Sequence, residues 1–293
     1  MTQFVGRCNF CGCTERVILY EDNVHLVRCA KCGVIYSLAQ MDMVSMKKFY
    51  NEEYFISTDS VKRGYTHYFD DKKNIIKTFQ KRMDSINRLY PKKGKLLDIG
   101  CAAGFFLHVA RKSGWEVEGV DISRVCADYA KNKLNLVVHN DVFTNLNFAD
   151  NSYDVITMWD YLEHSLFPRE DILKAHKLLK PGGLLVIATP DISSLPSRIF
   201  RSHWIGIKLE EHFYYFSRKK IVNFLKSVGF ELLKSCYIGK YVSSSMFCDR
   251  LIYYNSFLSN VTKKLFKKIN VSFYCNPFDI MCLILKKENK GNF

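Results

Sequence analysis

Short apolar runs alternate with longer amphipathic stretches through the middle of the chain. Continuous runs of aliphatic residues predict buried strands, and apolar positions spaced three or four apart predict helices. The pattern predicts strands at 96–99, 115–120, 136–139, 153–159 and 184–189, with helices at 105–112 and 168–180. Strands that alternate with helices are typical of an α/β fold with a parallel sheet, and this is the fold class that we predict.

The turn after the first of these strands carries a carboxylate and two glycines, in the sequence Asp98-Ile-Gly-Cys-Ala-Ala-Gly104. Gly100 and Gly104 let the backbone turn sharply and let a ligand approach it closely. A dinucleotide site has G-x-G-x-x-G here, so that a pyrophosphate can lie at the helix N-terminus. The Asp98 carboxylate would repel a pyrophosphate, whereas it suits a ligand with a cationic amino-acid end. S-adenosylmethionine is such a ligand.

Two more acidic residues, Asp121 and Asp141, follow the next two predicted strands. Asp121 can accept hydrogen bonds from both hydroxyls of a ribose. Asp141 can accept from the amino group of adenine while the N–H of Val142 meets a ring nitrogen. A single aspartate at a strand end often only caps a helix. Acids at three successive strand ends together predict a cofactor that contains a nucleoside.

With these motifs the chain resembles the class I S-adenosylmethionine-dependent methyltransferases over about residues 95–236, and Leu179-Lys-Pro-Gly-Gly183 matches the family's turn before the fifth strand. The resemblance implies a Rossmann-like seven-stranded sheet whose last strand is antiparallel, with 230–237 and 278–286 as the sixth and last strands. It also implies the cofactor-binding residues Asp98, Gly100, Ala102, Gly104, Phe105, Asp121, Ile122, Asp141, Val142, Trp159 and His164. Ala102 stands where the family usually has a glycine.

Two C-x-x-C-G motifs lie near the N-terminus, separated by 17 residues. Thiolates at this spacing are typical of a tetrahedral structural zinc site. Short apolar stretches at 17–20 and 25–28 predict a hairpin between the motifs, so we predict a small N-terminal zinc ribbon. Cys13 is an alternative ligand with poorer spacing. The predicted metal ligands are Cys8, Cys11, Cys29 and Cys32.

The predicted organisation has three regions: a zinc ribbon at 1–45, a helical linker or lid at 46–94, and a class I methyltransferase domain at 95–293 with a basic insertion at about 243–270. An amphipathic helix at 68–90 dominates the linker. This helix either packs on the edge of the sheet or covers bound cofactor.

The composition bears on the redox state of the cysteines and on possible binding partners. The 11 cysteines are odd in number, which argues against a full disulfide framework, and the N-terminus shows no apolar signal segment, so we predict a cytoplasmic protein. The net charge of +14 is concentrated towards the two ends of the chain. The basic insertion mixes lysines with apolar residues, which fits peripheral contact with an anionic membrane, a phosphorylated substrate, or a solvated helix.

Methyl transfer is an in-line displacement at a sulfonium, so the protein must position the acceptor and take up its proton. Two polar stretches carry suitable groups, one around Asp160 and one around His212. We predict His212 as the general base, with Glu211 beside it and Asp160 as the alternative. In related sugar-modifying methyltransferases a similar Glu-His pair lies near the acceptor. His164 is predicted to support the cofactor instead.

A zinc ribbon joined to such a domain resembles bacterial methyltransferases that modify nucleotide sugars, polysaccharides and natural products. The expected cofactors are S-adenosylmethionine and zinc, and the expected acceptor is a small molecule or glycan, methylated on oxygen, nitrogen or a sugar carbon. An RNA methyltransferase is an alternative that suits the basic ends, although no pattern of stacking aromatics accompanies them. A further alternative is a cofactor-binding adaptor without catalysis. The sequence leaves the oligomeric state open.

Overall fold

The computed structural model describes residues 2–20, 23–50, 68–251 and 271–289. The N-terminal strands are β1 (Thr2–Phe4), β2 (Arg16–Tyr20), β3 (Asn23–Cys29), β4 (Ile35–Ser37) and β5 (Ala39–Met41), followed by helices α1 (Met43–Phe49) and α2 (Lys72–Leu89). The middle of the chain contains β6 (Lys95–Ile99), α3 (Phe105–Lys112), β7 (Glu116–Val120), α4 (Arg124–Leu134), β8 (Val137–His139), β9 (Tyr153–Trp159), α5 (Pro168–Leu178) and β10 (Leu179–Pro190). The C-terminal part contains α6 (Leu195–Phe200), β11 (Tyr214–Tyr215), α7 (Arg218–Val228), β12 (Phe230–Tyr237), β13 (Lys240–Ser243), α8 (Ser244–Leu251), β14 (Ser272–Cys275) and β15 (Ile280–Lys287).

A seven-stranded sheet forms the centre of the fold, in the strand order β12-β15-β10-β9-β6-β7-β8. The strands from β10 to β8 pair in parallel, whereas β15 lies antiparallel between β10 and β12. The carboxyl ends of the parallel strands therefore meet at one edge of the sheet, where α/β folds bind ligands. The predicted fold class, a Rossmann-like seven-stranded sheet with an antiparallel last strand, is confirmed.

Helices cover both faces of this sheet, which explains why its strands are apolar runs without alternation. All seven residues of β9 are buried. Along β6, Leu97 and Ile99 face the hydrophobic cluster that contains α5 and α7. Leu96 points to the opposite face, into the cluster that contains α3 and α4. Successive side chains of one strand thus fill two separate cores, as the pleat of a strand requires.

The largest difference from the predicted boundaries lies before the fifth parallel strand. The elements predicted at 105–112, 153–159 and 230–237 have the expected boundaries. β10, however, begins at Leu179 rather than at 184. Leu179 pairs with Tyr153, and the register then shifts before Leu184 pairs with Val155, so the Pro-Gly-Gly segment forms a bulge inside the strand. Proline and glycine normally end a strand, which is why the sequence pattern places the boundary too late.

A second sheet joins the N-terminal strands to the C-terminal half of the chain, in the order β11-β4-β3-β2. β11 pairs antiparallel with β4 through Tyr214 with Tyr36 and Tyr215 with Ile35. Both tyrosines of β11 are buried. A strand of two residues has no hydrophobic periodicity, so the sequence does not indicate this pairing.

Phe10 anchors the N-terminal region on the central domain. Its ring centroid lies 4.5 Å from that of Phe224 in α7 and 6.2 Å from that of Phe216. Phe10 also belongs to the same hydrophobic cluster as Leu97 of the central sheet. The region 1–45 therefore shares a core with the domain at 95–293, and α1 crosses the boundary expected at residue 45.

The predicted basic insertion at 243–270 lies mostly outside the described residues. Its first part forms α8, which directly follows β13, and β13 pairs antiparallel with β14. The helix predicted at 68–90 corresponds to α2 and lies against α3 and β13. None of the helices in the described ranges is long and apolar enough to cross a membrane.

Replacing Phe10 with alanine should lower the free energy of unfolding by about 3–5 kcal/mol, because it leaves a cavity between the N-terminal region and α7. Urea unfolding followed by tryptophan fluorescence and by far-UV circular dichroism should give coincident transitions, since both sheets share one core. Phe4→Ala is the matched control: Phe4 is 72% exposed, so we expect a loss of less than about 0.5 kcal/mol. Two separate transitions in the unmodified protein would contradict the shared core.

Candidate active site

A cavity of about 200 Å³ opens at the carboxyl ends of β6, β7 and β9. The predicted cofactor residues in its wall are Asp98, Gly100, Ala102, Asp121, Ile122, Asp141, Val142, Trp159 and His164. Gly104 and Phe105 lie beside the cavity. Gly104 precedes α3 with a φ of 77°, and a Cβ there would lie 2.6 Å from the Leu136 side chain. Phe105 is buried and stacks on Tyr68 at a ring distance of 5.5 Å.

Asp98 lies in the cavity wall near the end of β6 and is 2% exposed. Its Oδ1 accepts a hydrogen bond of 2.6 Å from Thr157 Oγ1 on the neighbouring strand β9. Burial is the main cause that raises the pKa of Asp98 to about 8, and the Thr157 bond acts in the opposite direction. A cationic group that enters the cavity would favour the ionised carboxylate. Thr157 carries no signal in the sequence, because it lies inside an apolar run.

Asp121 holds the glycine-bearing turn against β7. Its Oδ2 accepts from the Ala102 N–H at 2.7 Å, and its Oδ1 accepts from the Ser123 N–H at 2.8 Å. Ala102 has a φ of 44°, a left-handed conformation that explains why a glycine is usual at this position. Burial raises the pKa of Asp121 to about 6. Each oxygen keeps a second lone pair, so the carboxylate can still accept from ribose hydroxyls.

Asp141 lies at a more open part of the cavity wall, where 36% of its side chain is exposed. Its Oδ1 accepts from the Val142 N–H at 2.8 Å and lies 3.1 Å from Lys47 Nζ. The Val142 bond is the main cause that lowers the pKa of Asp141. The N–H expected to meet a ring nitrogen of adenine is therefore donated to Asp141 in this structure.

Helix α1 contributes to the cavity wall, with Met43, Met46 and the following Tyr50 lining it. The side chain of Asp42 caps the helix by accepting from the Ser45 N–H at 2.7 Å. The helix itself was not predicted, although an aspartate before a short amphipathic stretch is a helix-start signal. Met46 and Tyr50, at the start of the predicted linker or lid at 46–94, thus help to enclose the cavity.

His164 lies in the cavity wall, whereas His212 lies behind it. The two rings are 4.7 Å apart and nearly perpendicular, at 83°. His164 Nδ1 lies 2.9 Å from both Tyr50 Oη and the Glu211 carbonyl oxygen, and His212 Nδ1 lies 2.9 Å from the Gly206 carbonyl oxygen. His212 is 6% exposed, and burial lowers its pKa well below the ordinary value. The residue predicted as the base is therefore enclosed by its own loop and by His164.

The residues predicted as catalytic occupy two layers. Asp160 faces the cavity with a φ of 50°, and its Oδ2 lies 3.9 Å from Arg82 Nη1 of α2. Glu211 is buried beside His212, and its Oε2 lies 3.5 Å from Lys208 Nζ. Asp160 lines the cavity, while the Glu-His pair supports the wall from behind.

A polar cluster that was not predicted lies beside His164 in the wall, formed by Tyr161, Ser165 and Asp171. Asp171 Oδ2 accepts from Tyr161 Oη at 2.9 Å and from Ser165 Oγ. Asp171 Oδ1 is buried and has no hydrogen-bond partner among the described residues. Burial raises the pKa of this carboxyl to about 6. An acid in the first turn of α5 is ordinarily explained by the helix dipole, so the sequence pattern does not single out Asp171.

The four predicted metal ligands come together at the start of the chain. Their Sγ atoms lie within 4.8 Å of one another, with 3.7 Å between Cys8 and Cys32 and 3.5 Å between Cys11 and Cys29. Sulfurs around a tetrahedral ion with bonds of about 2.3 Å are about 3.8 Å apart, so the cluster fits zinc. Cys13 is outside the cluster, and its thiol lies 3.7 Å from the Glu15 carbonyl oxygen.

Comparison with known proteins agrees with this geometry. A sequence model of the methyltransferase domain matches residues 69–235, more than half of the chain. The chain belongs to this methyltransferase family. A Methanocaldococcus jannaschii protein of uncharacterised function is 26% identical to the methyltransferase over 178 residues, which is 60% of this chain and 82% of that protein. The ubiquinone biosynthesis O-methyltransferase of Coxiella burnetii is 34% identical over 114 residues, which is 37% of this chain.

The matched region spans about half of the Coxiella relative, 49% of its length. A crystal structure of a SAM-dependent methyltransferase from Archaeoglobus fulgidus has the same fold, with a TM-score of 0.53 at 19% identity, and the match covers 75% of this chain and 99% of that one. The protein is an S-adenosylmethionine-dependent methyltransferase. The buried carboxylates fit that cofactor, because Asp98 suits its ammonium group and Asp121 retains lone pairs for its ribose.

Cofactor affinity should rise with pH, by up to about tenfold per unit between about pH 6 and 7.5. With a pKa of about 8, Asp98 is mostly protonated in the free methyltransferase at neutral pH, whereas a bound ammonium favours its ionised form. Binding should therefore release close to one proton, which calorimetry in buffers of different ionisation enthalpy measures. Asp98→Asn should remove the pH dependence and weaken binding at least about tenfold at pH 7.5.

Asp128→Asn is the control for this experiment, because Asp128 lies on α4 with 53% of its side chain exposed. It should bind the cofactor with the same affinity and release the same number of protons as the unmodified protein. If the unmodified protein binds with equal affinity at pH 6 and pH 7.5, Asp98 does not meet the ammonium group.

Proposed function

We propose that this methyltransferase acts on a small acceptor rich in hydroxyl groups, such as a nucleotide sugar or a precursor of a polysaccharide or natural product. The observation that carries the proposal is the polar wall beside the cofactor residues, formed by Asp160, Asp171, Tyr50, Tyr161 and Ser165. The two carboxylates and the oxygens of the three hydroxyls offer several acceptors for sugar hydroxyls. Because α1 closes one side of the cavity, a small group fits there more readily than a folded polymer.

A basic cleft supports an acceptor with an anionic end. It lies between the N-terminal sheet and helices α6 and α7, and its basic residues are Arg28, Lys31, Arg198, Arg201 and Lys220. No carboxylate lines this cleft among the described residues. Guanidinium and ammonium groups in such a setting bind phosphate or pyrophosphate. An acceptor with a phosphate or pyrophosphate group, such as a nucleotide sugar, therefore suits the cleft.

The chemistry divides between the cofactor and the cavity wall. The cofactor supplies a methyl group on a cationic sulfonium, so the protein must hold the acceptor atom in line and take its proton. We assign the proton-accepting role to Asp160, because it faces the cavity and Arg82 lies 3.9 Å from its carboxylate. His212 does not line the cavity, and Glu211 contributes through its carbonyl, 2.9 Å from His164 Nδ1.

Incubation with methyl-labelled S-adenosylmethionine and small-molecule extracts should place label in nucleotide-sugar or glycan fractions, separated by charge and by solvent partition. Asp160→Asn should reduce the labelling rate at least about 100-fold while cofactor affinity changes less than about twofold, because only proton transfer is lost. Asp128→Asn, on the exposed side of α4, is the matched control and should label at the normal rate. Label that ribonuclease removes would replace this proposal with an RNA acceptor, and cofactor binding without any labelled product would indicate an adaptor.

We further propose that the cysteine cluster binds zinc as a structural ion. Four thiolates at these separations form a closed tetrahedral set, which leaves no position for a substrate. Gly12 and Gly33, with φ of 77° and 72°, form the tight turns beside the ligands. Since Cys8 and Cys29 belong to the same hydrophobic cluster as the central sheet, the ion would stabilise the whole fold.

Cys32→Ser should lower the zinc content of the purified methyltransferase by about one equivalent per chain, measured by atomic spectrometry. It should also lower the midpoint of thermal unfolding by several degrees, because the N-terminal sheet loses its ion. Cys13→Ser is the matched control and should keep the zinc, since Cys13 lies outside the cluster. Equal zinc content in the two variants would exclude zinc binding by the cysteine cluster.

A further inference from the structure

A second group of metal-ligating side chains lies beside the cavity, away from the cysteines. It consists of Glu163, His164 and His212, and one ligand atom from each lies within 4.8 Å of the others. Glu163 and His212 are buried, at 2% and 6% exposure, while His164 reaches the cavity wall. The residues come from two different loops, one after β9 and one before β11, so the cluster exists only in the folded chain.

The hydrogen bonds of the two histidines leave the same nitrogen available on each ring. His164 Nδ1 lies 2.9 Å from the Glu211 carbonyl oxygen, and His212 Nδ1 lies 2.9 Å from the Gly206 carbonyl oxygen. A carbonyl oxygen only accepts, so each Nδ1 carries the proton and each Nε2 has a lone pair. Neither Nε2 has a hydrogen-bond partner among the described residues. Histidines that ligate metals are ordinarily held in this way, with the other ring N–H on a backbone carbonyl.

The charges around the cluster also favour a cation. Three carboxylates lie close together here, from Glu163, Asp160 and Glu211. Asp160 has Arg82 at 3.9 Å, and Glu211 has Lys208 at 3.5 Å. Glu163 has no ion pair within the described residues, and its carboxyl accepts hydrogen bonds only from neutral groups: Thr189 Oγ1 at 2.8 Å and its own backbone N–H. A buried carboxylate with only neutral donors is a costly arrangement that a metal ion would stabilise.

We propose that Glu163, His164 and His212 bind one divalent transition-metal ion beside the methyl-acceptor cavity. Two imidazoles and one carboxylate suit zinc, iron or cobalt rather than magnesium or calcium, which prefer oxygen ligands. Ligands around a tetrahedral ion with bonds of about 2.1 Å are about 3.4 Å apart, so the ligand atoms, now within 4.8 Å of one another, would approach by up to about 1.4 Å when the ion binds. His164 is the one of the three ligands that lines the cavity, so the ion would lie at the cavity wall.

The consequence for catalysis rests on the proposed function. An ion at this place would bind and orient a hydroxyl of the acceptor and make its proton easier to remove, with Asp160 nearby to take it. His212 then acts as a ligand, which accounts for its place behind His164. The binding of the ion itself stands on the geometry alone and is measured without any acceptor.

The test is a titration of the full-length, zinc-containing protein with Co²⁺, after a weak chelator has removed loosely held metal. We expect about one further equivalent of Co²⁺ per chain, with visible d–d absorption but without the intense near-ultraviolet band of thiolate ligands. This further equivalent of Co²⁺ should be lost in His212→Gln and in Glu163→Gln. His203→Gln is the matched control, since His203 is exposed and outside the cluster, and it should bind Co²⁺ as the unmodified protein does.

If the unmodified, zinc-containing protein binds no further equivalent of Co²⁺, the proposal is overturned, whether or not the variants fold. The proposal also fails if the His212→Gln variant binds cofactor normally and still takes up the further equivalent of Co²⁺. A site that binds Co²⁺ in a protein that labels no sugar-containing acceptor supports the metal site and overturns the acceptor assignment alone. The two proposals therefore fail separately.

Discussion

The backbone of Phe213 holds three parts of the molecule together. Its N–H donates to the Glu163 carbonyl oxygen at 2.7 Å, and its own carbonyl accepts from the Ser37 N–H at 2.9 Å. His212 directly precedes this residue, and β11 directly follows it. One peptide segment thus fixes the loop behind His164, the turn after β9 and the N-terminal sheet. A shift in the N-terminal sheet therefore reaches the cavity wall through short backbone hydrogen bonds, because buried peptide groups lose much free energy when they are left unpaired.

The cavity buries carboxyl groups in surroundings that disfavour their ionised forms. Burial raises the pKa of Asp98 to about 8 and that of Asp121 to about 6. Since the folded pKa of Asp98 lies above its ordinary value, the folded state binds more protons than the unfolded chain between about pH 4 and 8. The contribution of Asp98 to stability is therefore full below this window and is lost as the pH rises through it. At neutral pH the Asp98 carboxyl of the free protein is therefore mostly protonated, and a bound cationic cofactor would favour its ionised form.

The sequence predicts what depends on local pattern, and misses what depends on distant pairing. The buried strand of β9 and the turn from Asp98 to Gly104 follow from hydrophobic runs and from strand-end chemistry, both of which are local. The pairing of β11 with β4 joins residues that are far apart in the chain, and two tyrosines carry no periodic signal. The same limit applies to the cavity wall: α1 lies close to Asp141 only because the N-terminal sheet docks on the central domain.

The Glu211–His212 pair shows why a residue pattern does not by itself assign a role in catalysis. A general base must reach the proton that it removes and must pass that proton on. His212 is enclosed by the Gly206 carbonyl and by the ring of His164, so a proton taken there would be trapped behind the cavity wall. A buried imidazole of this kind has a lone pair in a fixed direction, away from water and close to carboxylates. These properties suit a metal ligand. Asp160 is in the opposite situation, because a third of its side chain is exposed and a proton can leave it for solvent.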